Sequence, residues 1–415
     1  MANFSRICVI GLGYIGLPTA VLFANQGVEV VGVDVNQEIV TAVNSGKAPN
    51  VEPQLDILLK SAIESKKLRA TIRPEQASAF ILAVPTPCDE KNFPDLTFLR
   101  EAADSIAPFL NPSNLIVIES TIPIGTTEAI ANRLAITRPD LIFPGRSNNM
   151  AQVNIAHSPE RVLPGKIIQE FTSNDRVIGG MTPACSNLTA KLYRLATVGN
   201  LHQTNARTAE MVKLSENAYR DINIAFANEL SLVASKLNVD VWEVIKLANQ
   251  HPRVNILSPG PGVGGHCIPV DPWFIANSAP NETPLIQTAR NINDNMPEKI
   301  VNRIIDMLPS LDSNICCLGL TYKGNVNDLR GSPAVRVIQL LINQVKGNIY
   351  VSEPYINTLP PTLSNEKRIS LVNTKAAIDH SAVVVLLTDH QEFIDLRHQI
   401  PETKIRIDTR GVWAG

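Results

Sequence analysis

A short apolar run, Arg6 to Ile10, passes without a linker into Gly11-Leu-Gly13-Tyr-Ile-Gly16 and then into a helical pattern from Ile15 to Gln26. A second apolar run, from Glu29, ends on Asp34. No other feature constrains the fold as much. The first glycine permits a tight turn, the second lets the backbone approach a pyrophosphate, and the third lets helix and strand pack closely. The pyrophosphate then meets the free N–H groups and positive end of the helix. Asp34 suits a ribose 2′-OH and repels a 2′-phosphate, so Gly11, Gly13, Gly16 and Asp34 predict NAD in preference to NADP. A glycine turn that serves packing alone is the competing reading.

Further apolar runs at Ala79–Val84 and Leu115–Thr121 alternate with helical stretches at Leu55–Lys66 and Asp95–Phe109, which predicts a doubly wound parallel sheet. From Asn205 to about Leu237 neither proline nor glycine interrupts a helical pattern. At ~1.5 Å per residue that is a helix of roughly 50 Å, longer than one small domain needs. It reads as a spine between domains or as a dimer surface. Alternation then returns at Asn314–Leu318, Ser332–Gln344 (Ser332 at the cap, Pro333 at the first helical position), Asn348–Ser352, Ala382–Leu387 and Lys404–Asp408. The turn Gly319-Leu-Thr-Tyr-Lys-Gly324 stands where the first unit has its glycine turn, and reads as a degenerate nucleotide-binding half. The expected fold is α/β: two Rossmann-like, doubly wound parallel-sheet domains joined by a central helical domain with a long spine helix. Its expected parts are 1–200, 201–300 and 301–415.

A length of 415 residues with 44% hydrophobic and 18% charged residues suits two or three globular domains. A net charge of −2 provides no general field for nucleic acid or anionic membranes, so an anionic ligand must be held locally. No apolar stretch approaches the ~20 residues of a membrane span, and the first apolar run is too short for a signal peptide. The expectation is a cytoplasmic protein. The cysteines and histidines show no metal-ligand spacing. Cys8, Cys88, Cys185, Cys316 and Cys317 read as buried small hydrophobes.

Pro259-Gly-Pro-Gly-Val-Gly-Gly-His-Cys267-Ile-Pro-Val-Asp271-Pro is neither core strand nor helix. It describes a rigid loop that lets the backbone approach a ligand and presents a thiol. A nucleophilic thiol needs a nearby base or cation; Asp271 could act as that base, orient a water or cap a turn. Lys213, Asn217 and Arg220 share one face of the long helix. They are either a solvated stripe or, for Lys213 with Asn217, holders of an oxyanion and a water. Glu160 and Arg161 face a ligand or form a surface turn. Ser120 and Thr121 lie on the expected carboxyl edge of the sheet, where ligands bind in such folds. His251 and Arg253 look like a polar turn.

Together these segments resemble the nucleotide-sugar dehydrogenase family of UDP-glucose and GDP-mannose dehydrogenases over essentially the whole chain. The most specific stretches are Arg207-Thr-Ala-Glu-Met through Phe226-Ala-Asn-Glu-Leu-Ser, Ala248-Asn-Gln-His-Pro-Arg-Val-Asn, Pro259 through Trp273, and Asn327-Asp-Leu-Arg. The resemblance implies an NAD-binding domain, a central domain that forms a homodimer, and a UDP-binding domain. It implies that Cys267 carries a thiohemiacetal and then a thioester, with Lys213 as acid/base beside Asn217. Thr121 and Asp271 would organise the catalytic water, and Glu160 would serve thioester hydrolysis. Arg161, Val162, Arg220, His251, Arg253, Gly264, Tyr322, Lys323 and Arg410 match substrate-contacting positions, His251 and Arg253 across the dimer. Tyr14, Ile15, Asp34, Thr86, Thr126 and Arg330 match the NAD shell. The chain departs from the glucose-type pattern at His266 and Val270, as in the N-acetylhexosamine branch. It also departs at Pro164 and at Gly331, which puts that NAD contact in doubt.

The resemblance implies a four-electron oxidation at C6 of a UDP-sugar, consuming two NAD and supplying surface polysaccharide synthesis. UDP-ManNAc is favoured over UDP-GlcNAc and UDP-Glc by whole-chain likeness. The rivals are a two-electron hydroxyacid dehydrogenase and a non-catalytic NAD-sensing module.

Overall fold

The computed structural model describes residues 4–49, 52–145, 151–163 and 165–413, so Pro164 lies outside the described residues. The chain forms two compact units, Met1–Ser215 and Glu216–Gly415.

The first unit carries β1 (Arg6–Ile10), β2 (Glu29–Val33), β3 (Leu68–Thr71), β4 (Ala79–Leu82), β5 (Leu115–Ile118), β6 (Asn154–His157), β7 (Arg176–Gly180) and β8 (Leu201–Asn205). They form one sheet in the order β3-β2-β1-β4-β5-β6-β7-β8. Helices cover both faces, so β4 and β5 are buried throughout and read as continuous apolar runs. The sheet is parallel except where β7 meets β6, which is antiparallel; β8 is parallel to β7. That extension was not legible, because β8 is Leu-His-Gln-Thr-Asn, a polar strand defined by its partner.

The long helix, Ala206–Lys236, starts in the first unit and continues into the second. The second unit adds the helices Val241–Ala248, Asp271–Ser278 and Pro284–Met307. It also holds β9 (Ile315–Leu318), β10 (Ile349–Ser352), β11 (Ile369–Leu371), β12 (Val383–Leu386) and β13 (Ile405–Asp408). Their order, β11-β10-β9-β12-β13, repeats the order β3-β2-β1-β4-β5, and all pairs are parallel.

The repeat extends to the glycine turns. Gly11 N–H donates to Val33 O at 2.8 Å, and Gly319 N–H to Ser352 O at 2.9 Å. Both glycines are left-handed, with φ +92° and +97°. A Cβ would stand 2.5 Å from Ala83 O in one and 2.3 Å from Thr388 Cβ in the other. Serine at the expected cap behaves differently: Ser332 Oγ donates to Leu320 O across the turn and does not cap its helix.

Four of the five cysteines expected in the interior are buried, but Cys88 is only partly so. Burial pushes the Cys8 thiol up to about 11 and that of Cys317 to about 12. Gly319→Ala is expected to lose at least ~2 kcal/mol of stability, from a left-handed backbone and a clash together. Urea denaturation of the full chain measures it; a loss below about 0.5 kcal/mol contradicts the close approach.

Candidate active site

The expected residues fall into two groups, one in each unit. In the first, the turn after β1 leaves Gly13 with no heavy atom within 4 Å of a Cβ position, while a Cβ on Gly16 would stand 1.8 Å from Gly11 O. The turn is therefore closed on its strand side and open at Gly13, beside partly exposed Tyr14 and Ile15, as an approaching phosphate requires. Asp34 accepts Leu12 N–H at 2.9 Å through Oδ2 and Asn36 N–H at 2.9 Å through Oδ1. A carboxylate has about four acceptor positions, so capacity for a ribose remains.

The equivalent carboxylate in the second unit differs. Glu353 Oε2 accepts Leu320 N–H at 2.7 Å, Thr321 N–H at 3.2 Å and His390 Nε2 at 3.0 Å, and Oε1 accepts Tyr355 N–H at 3.0 Å. Burial opposes its charge, but these hydrogen bonds outweigh it and hold the carboxyl below its ordinary range. Its acceptors are used, so the second turn lacks the open acidic partner that Asp34 gives the first.

At the carboxyl ends of β4 and β5, Thr86 Oγ1 donates to Thr121 O at 2.6 Å. Thr126 opens the helix Thr126–Thr137. Glu210, on the long helix and absent from the sequence reading, accepts Gly125 N–H at 2.6 Å, Thr127 N–H at 2.8 Å and Thr127 Oγ1 at 2.6 Å. It therefore occupies the positive end of that helix. His157 is fully buried at the end of β6, and its Nδ1 donates to Ile118 O at 2.9 Å. Burial first, then the Lys213 ammonium, push its pKa down to about 3, so the ring is neutral.

Glu160 is buried and ion-paired with Arg176, and its Oε1 accepts Arg161 N–H at 2.8 Å. Arg176 lies between aromatic faces, 4.4 Å from the Phe171 centroid and 4.2 Å from that of Tyr193. Its Nη1 stands 3.5 Å from Glu119 Oε1, which also accepts Tyr193 OH at 2.6 Å. Glu119 and Arg176 were missed; the only signal was a carboxylate at the end of an apolar strand. Burial raises the Glu119 carboxyl above its ordinary range, Arg176 pulls it back and Glu160 raises it again. Val162 packs on the core.

In the second unit the cysteine loop is seated closely. A Cβ on Gly264 would stand 2.6 Å from Tyr322 Cβ and 2.8 Å from Gly331 O. Gly265 N–H donates to Arg330 O at 2.9 Å. Gly331 has φ +57°, and its own Cβ would stand 3.0 Å from Gly265 O, which accounts for a glycine there. The Cys267 thiol is exposed, and Asp271 N–H donates to Cys267 O at 2.9 Å, closing the turn that opens the next helix. Asp271 is buried and accepts Asn217 Nδ2 through Oδ2 at 2.5 Å. Asn217 is thus no solvated residue, although Lys213 is only half-buried and Arg220 is exposed.

Arg410 lies against Gly260 and pairs with Asp389 at 3.2 Å. Arg330 is exposed and paired with Asp328 at 2.6 Å. The Tyr322 phenol is raised by burial, and Thr321 Oγ1 donates to Lys323 O at 2.9 Å. His251 and Arg253 are exposed in a turn, where Arg253 N–H donates to His251 Nδ1 at 3.3 Å. Among the described residues no group of acidic, histidine and cysteine side chains could hold a metal, and no helix is long and apolar enough to cross a membrane.

An open glycine turn with an unsaturated acidic partner, a second nucleotide fold and a glycine-walled thiol define a nucleotide-dependent dehydrogenase. The chain belongs to the UDP-glucose/GDP-mannose dehydrogenase family: residues 5–197 match its NAD binding domain, 207–295 its central domain and 316–415 its UDP binding domain. It is an NAD-dependent UDP-sugar dehydrogenase. It is 50% identical over 399 residues to a UDP-N-acetyl-D-mannosamine dehydrogenase of Campylobacter jejuni, covering 96% of this chain and 98% of that one. It is 48% identical over 413 residues to an NDP-N-acetyl-D-galactosaminuronic acid dehydrogenase of Ralstonia nicotianae, covering 99% and 97%. A UDP-D-ManNAc dehydrogenase structure from Pyrococcus horikoshii matches with a TM-score of 0.87 at 39% identity, covering 98% of this chain and 96% of that one.

The buried cluster predicts a pH effect. A carboxyl with a raised folded-state value binds more protons folded than unfolded, so stability falls as pH rises from about 4.5 toward neutrality. Glu119→Gln does not titrate and should exceed wild type by about 1 kcal/mol or more at pH 8. The gap should shrink toward pH 5; a gap of equal size at both pH values, in thermal melts, rejects the assignment.

Proposed function

We propose that this chain oxidises the C6 alcohol of UDP-N-acetyl-D-mannosamine to the carboxylate through a thioester on Cys267. The observation that carries the reading is the exposed cysteine that follows a glycine loop seated closely against Tyr322 and Gly331. NAD, when bound, supplies the hydride acceptor for both oxidations. Lys213, beside Asn217, takes the hydroxyl proton as the alcohol becomes an aldehyde. Cys267 sulfur then adds to the aldehyde carbon, and its proton passes to the oxygen held by Lys213. Loss of the second hydride and of that proton leaves the thioester. Water cleaves the C–S bond, releasing carboxylate and restoring the thiol, with Thr121, Asp271 and Glu160 serving this step. Covalent capture keeps a reactive aldehyde from escaping.

The name of the Campylobacter relative supports the N-acetylmannosamine substrate. The Ralstonia relative favours a second reading, the same oxidation of an N-acetylgalactosamine nucleotide. NADH formed per sugar should be two, with UDP-ManNAc turned over faster than UDP-GalNAc, UDP-GlcNAc or UDP-Glc; one NADH per sugar rejects the four-electron reaction. Cys267→Ser should stall after the first oxidation, and full conversion to acid by that variant removes the thiol from the mechanism.

A homodimer completes the proposal. Tyr219, Phe226 and Val233, exposed at 65%, 52% and 48%, repeat along the long helix at steps that keep one face. An exposed apolar stripe of this kind suits a second copy, which would bring His251 and Arg253 to the neighbouring site. Phe226→Glu with Tyr219→Glu should shift the mass in multi-angle light scattering from dimer to monomer; an unchanged mass excludes this face.

A further inference from the structure

Beyond Glu210, the long helix buries Asn217, Asp221 and Asn228 on one face, exposed by 8%, 0% and 0%. Positions i, i+4 and i+11 lie within about 40° of one another around a helix. Asn217 holds Asp271, just after the thiol. Asn228 holds the other end of the same loop: its Oδ1 accepts Gly260 N–H at 2.9 Å. Asn228 Nδ2 donates to Asn293 Oδ1 at 2.8 Å, and Asn293 Nδ2 donates to Asp221 Oδ1 at 2.8 Å and to Asp221 O at 3.0 Å. Arg290, 1% exposed, pairs with Asp221 at 2.5 Å and with Asp294.

The order of this chain is forced from both ends. A carboxylate only accepts and a backbone N–H only donates. Asn293 must therefore turn its NH2 to Asp221 and its oxygen to Asn228. Asn228 must then turn its NH2 to Asn293 and its oxygen to Gly260. Flipping either amide sets two like groups face to face in a buried site, which is costly. The Asn293 backbone also lies close to the loop. Pro297 lacks an N–H, so it cannot bond the Asn293 carbonyl as an i+4 helix residue would, and a Cβ on Gly262 would stand 3.2 Å from that oxygen.

We infer that Asn228, with its order set by Asp221, Arg290 and Asn293, is a positioning residue that fixes the Cys267 loop for capture of the aldehyde. Asn217 and Asn228 bracket the thiol from one rigid helix, about 16 Å apart along its axis. A buried ion pair is weak evidence for stability and is better explained by the single arrangement it enforces. The inference rests on Cys267 being the nucleophile.

The test is Asn228→Ala in the full-length enzyme, assayed with UDP-ManNAc and NAD beside Cys267→Ser, with released aldehyde trapped by semicarbazide. A fall in kcat of roughly 10- to 100-fold is expected, with trapped aldehyde appearing and NADH per sugar dropping from two toward one. Loss of stability alone would lower the melting temperature without releasing aldehyde. Wild-type aldehyde retention by Asn228→Ala, while Cys267→Ser stalls, overturns the positioning role and leaves the nucleophile standing. Complete oxidation by Cys267→Ser overturns both. Should circular dichroism show Asn228→Ala unfolded, Asp221→Leu with Arg290→Met applies the same criteria, because an apolar pair of similar volume keeps the packing and removes the carboxylate that orders the amides.

Discussion

Burying an amide or a carboxylate away from water is costly unless its hydrogen bonds are made. The long helix accepts that cost at Asn217, Asp221 and Asn228, and much of the second unit is arranged around meeting it. Arg290 and Asn293 approach from the helix Pro284–Met307, and Asp271 and Gly260 approach from the two ends of the cysteine loop. The result is a loop tied at both ends to one helix by buried hydrogen bonds. Its glycines serve the same end by a different route. At Gly264 a Cβ would stand closer to Tyr322 and Gly331 than side chains tolerate, and at Gly262 and Gly265 it would be tightly placed against Asn293 and Tyr322.

The two sheets show how one backbone design is divided between two tasks. They share the order of five strands, a left-handed glycine after the first strand and a carboxylate that receives the next N–H. Chemistry separates them at that carboxylate. Asp34 makes two hydrogen bonds within the unit and has acceptor capacity left, whereas Glu353 is saturated by backbone and His390. Two further donors, one of them the buried His390, take up the acceptor positions that Asp34 keeps open.

The cluster of Glu119, Arg176 and Glu160 shows the same economy of charge. Two carboxylates share one guanidinium, itself held between Phe171 and Tyr193. Such an arrangement has one orientation for Glu160, at the cost of keeping Glu119 partly protonated. Arg161 and Val162 follow directly in the chain, so their placement inherits that order.

The nucleotide fold, the long helix and the cysteine loop were legible because each is a local matter. Strand-to-helix glycines, a proline-free helical run and a glycine-proline segment around one thiol leave short-range marks. β7 and β8 left none, since an antiparallel pairing and a polar edge strand exist only through their neighbours. Glu119, Arg176 and Glu210 were likewise invisible, each being an ordinary charged residue until the fold buries it against partners distant in the chain. Periodicity and glycine stereochemistry act over a few residues, so the repeating α/β architecture, the NAD-type turn and the candidate nucleophile can be read without a fold. Which acidic partner stays open to a ribose, and which amides hold the thiol loop, depends on hydrogen-bond saturation and burial, and these arise only when residues far apart in the chain meet.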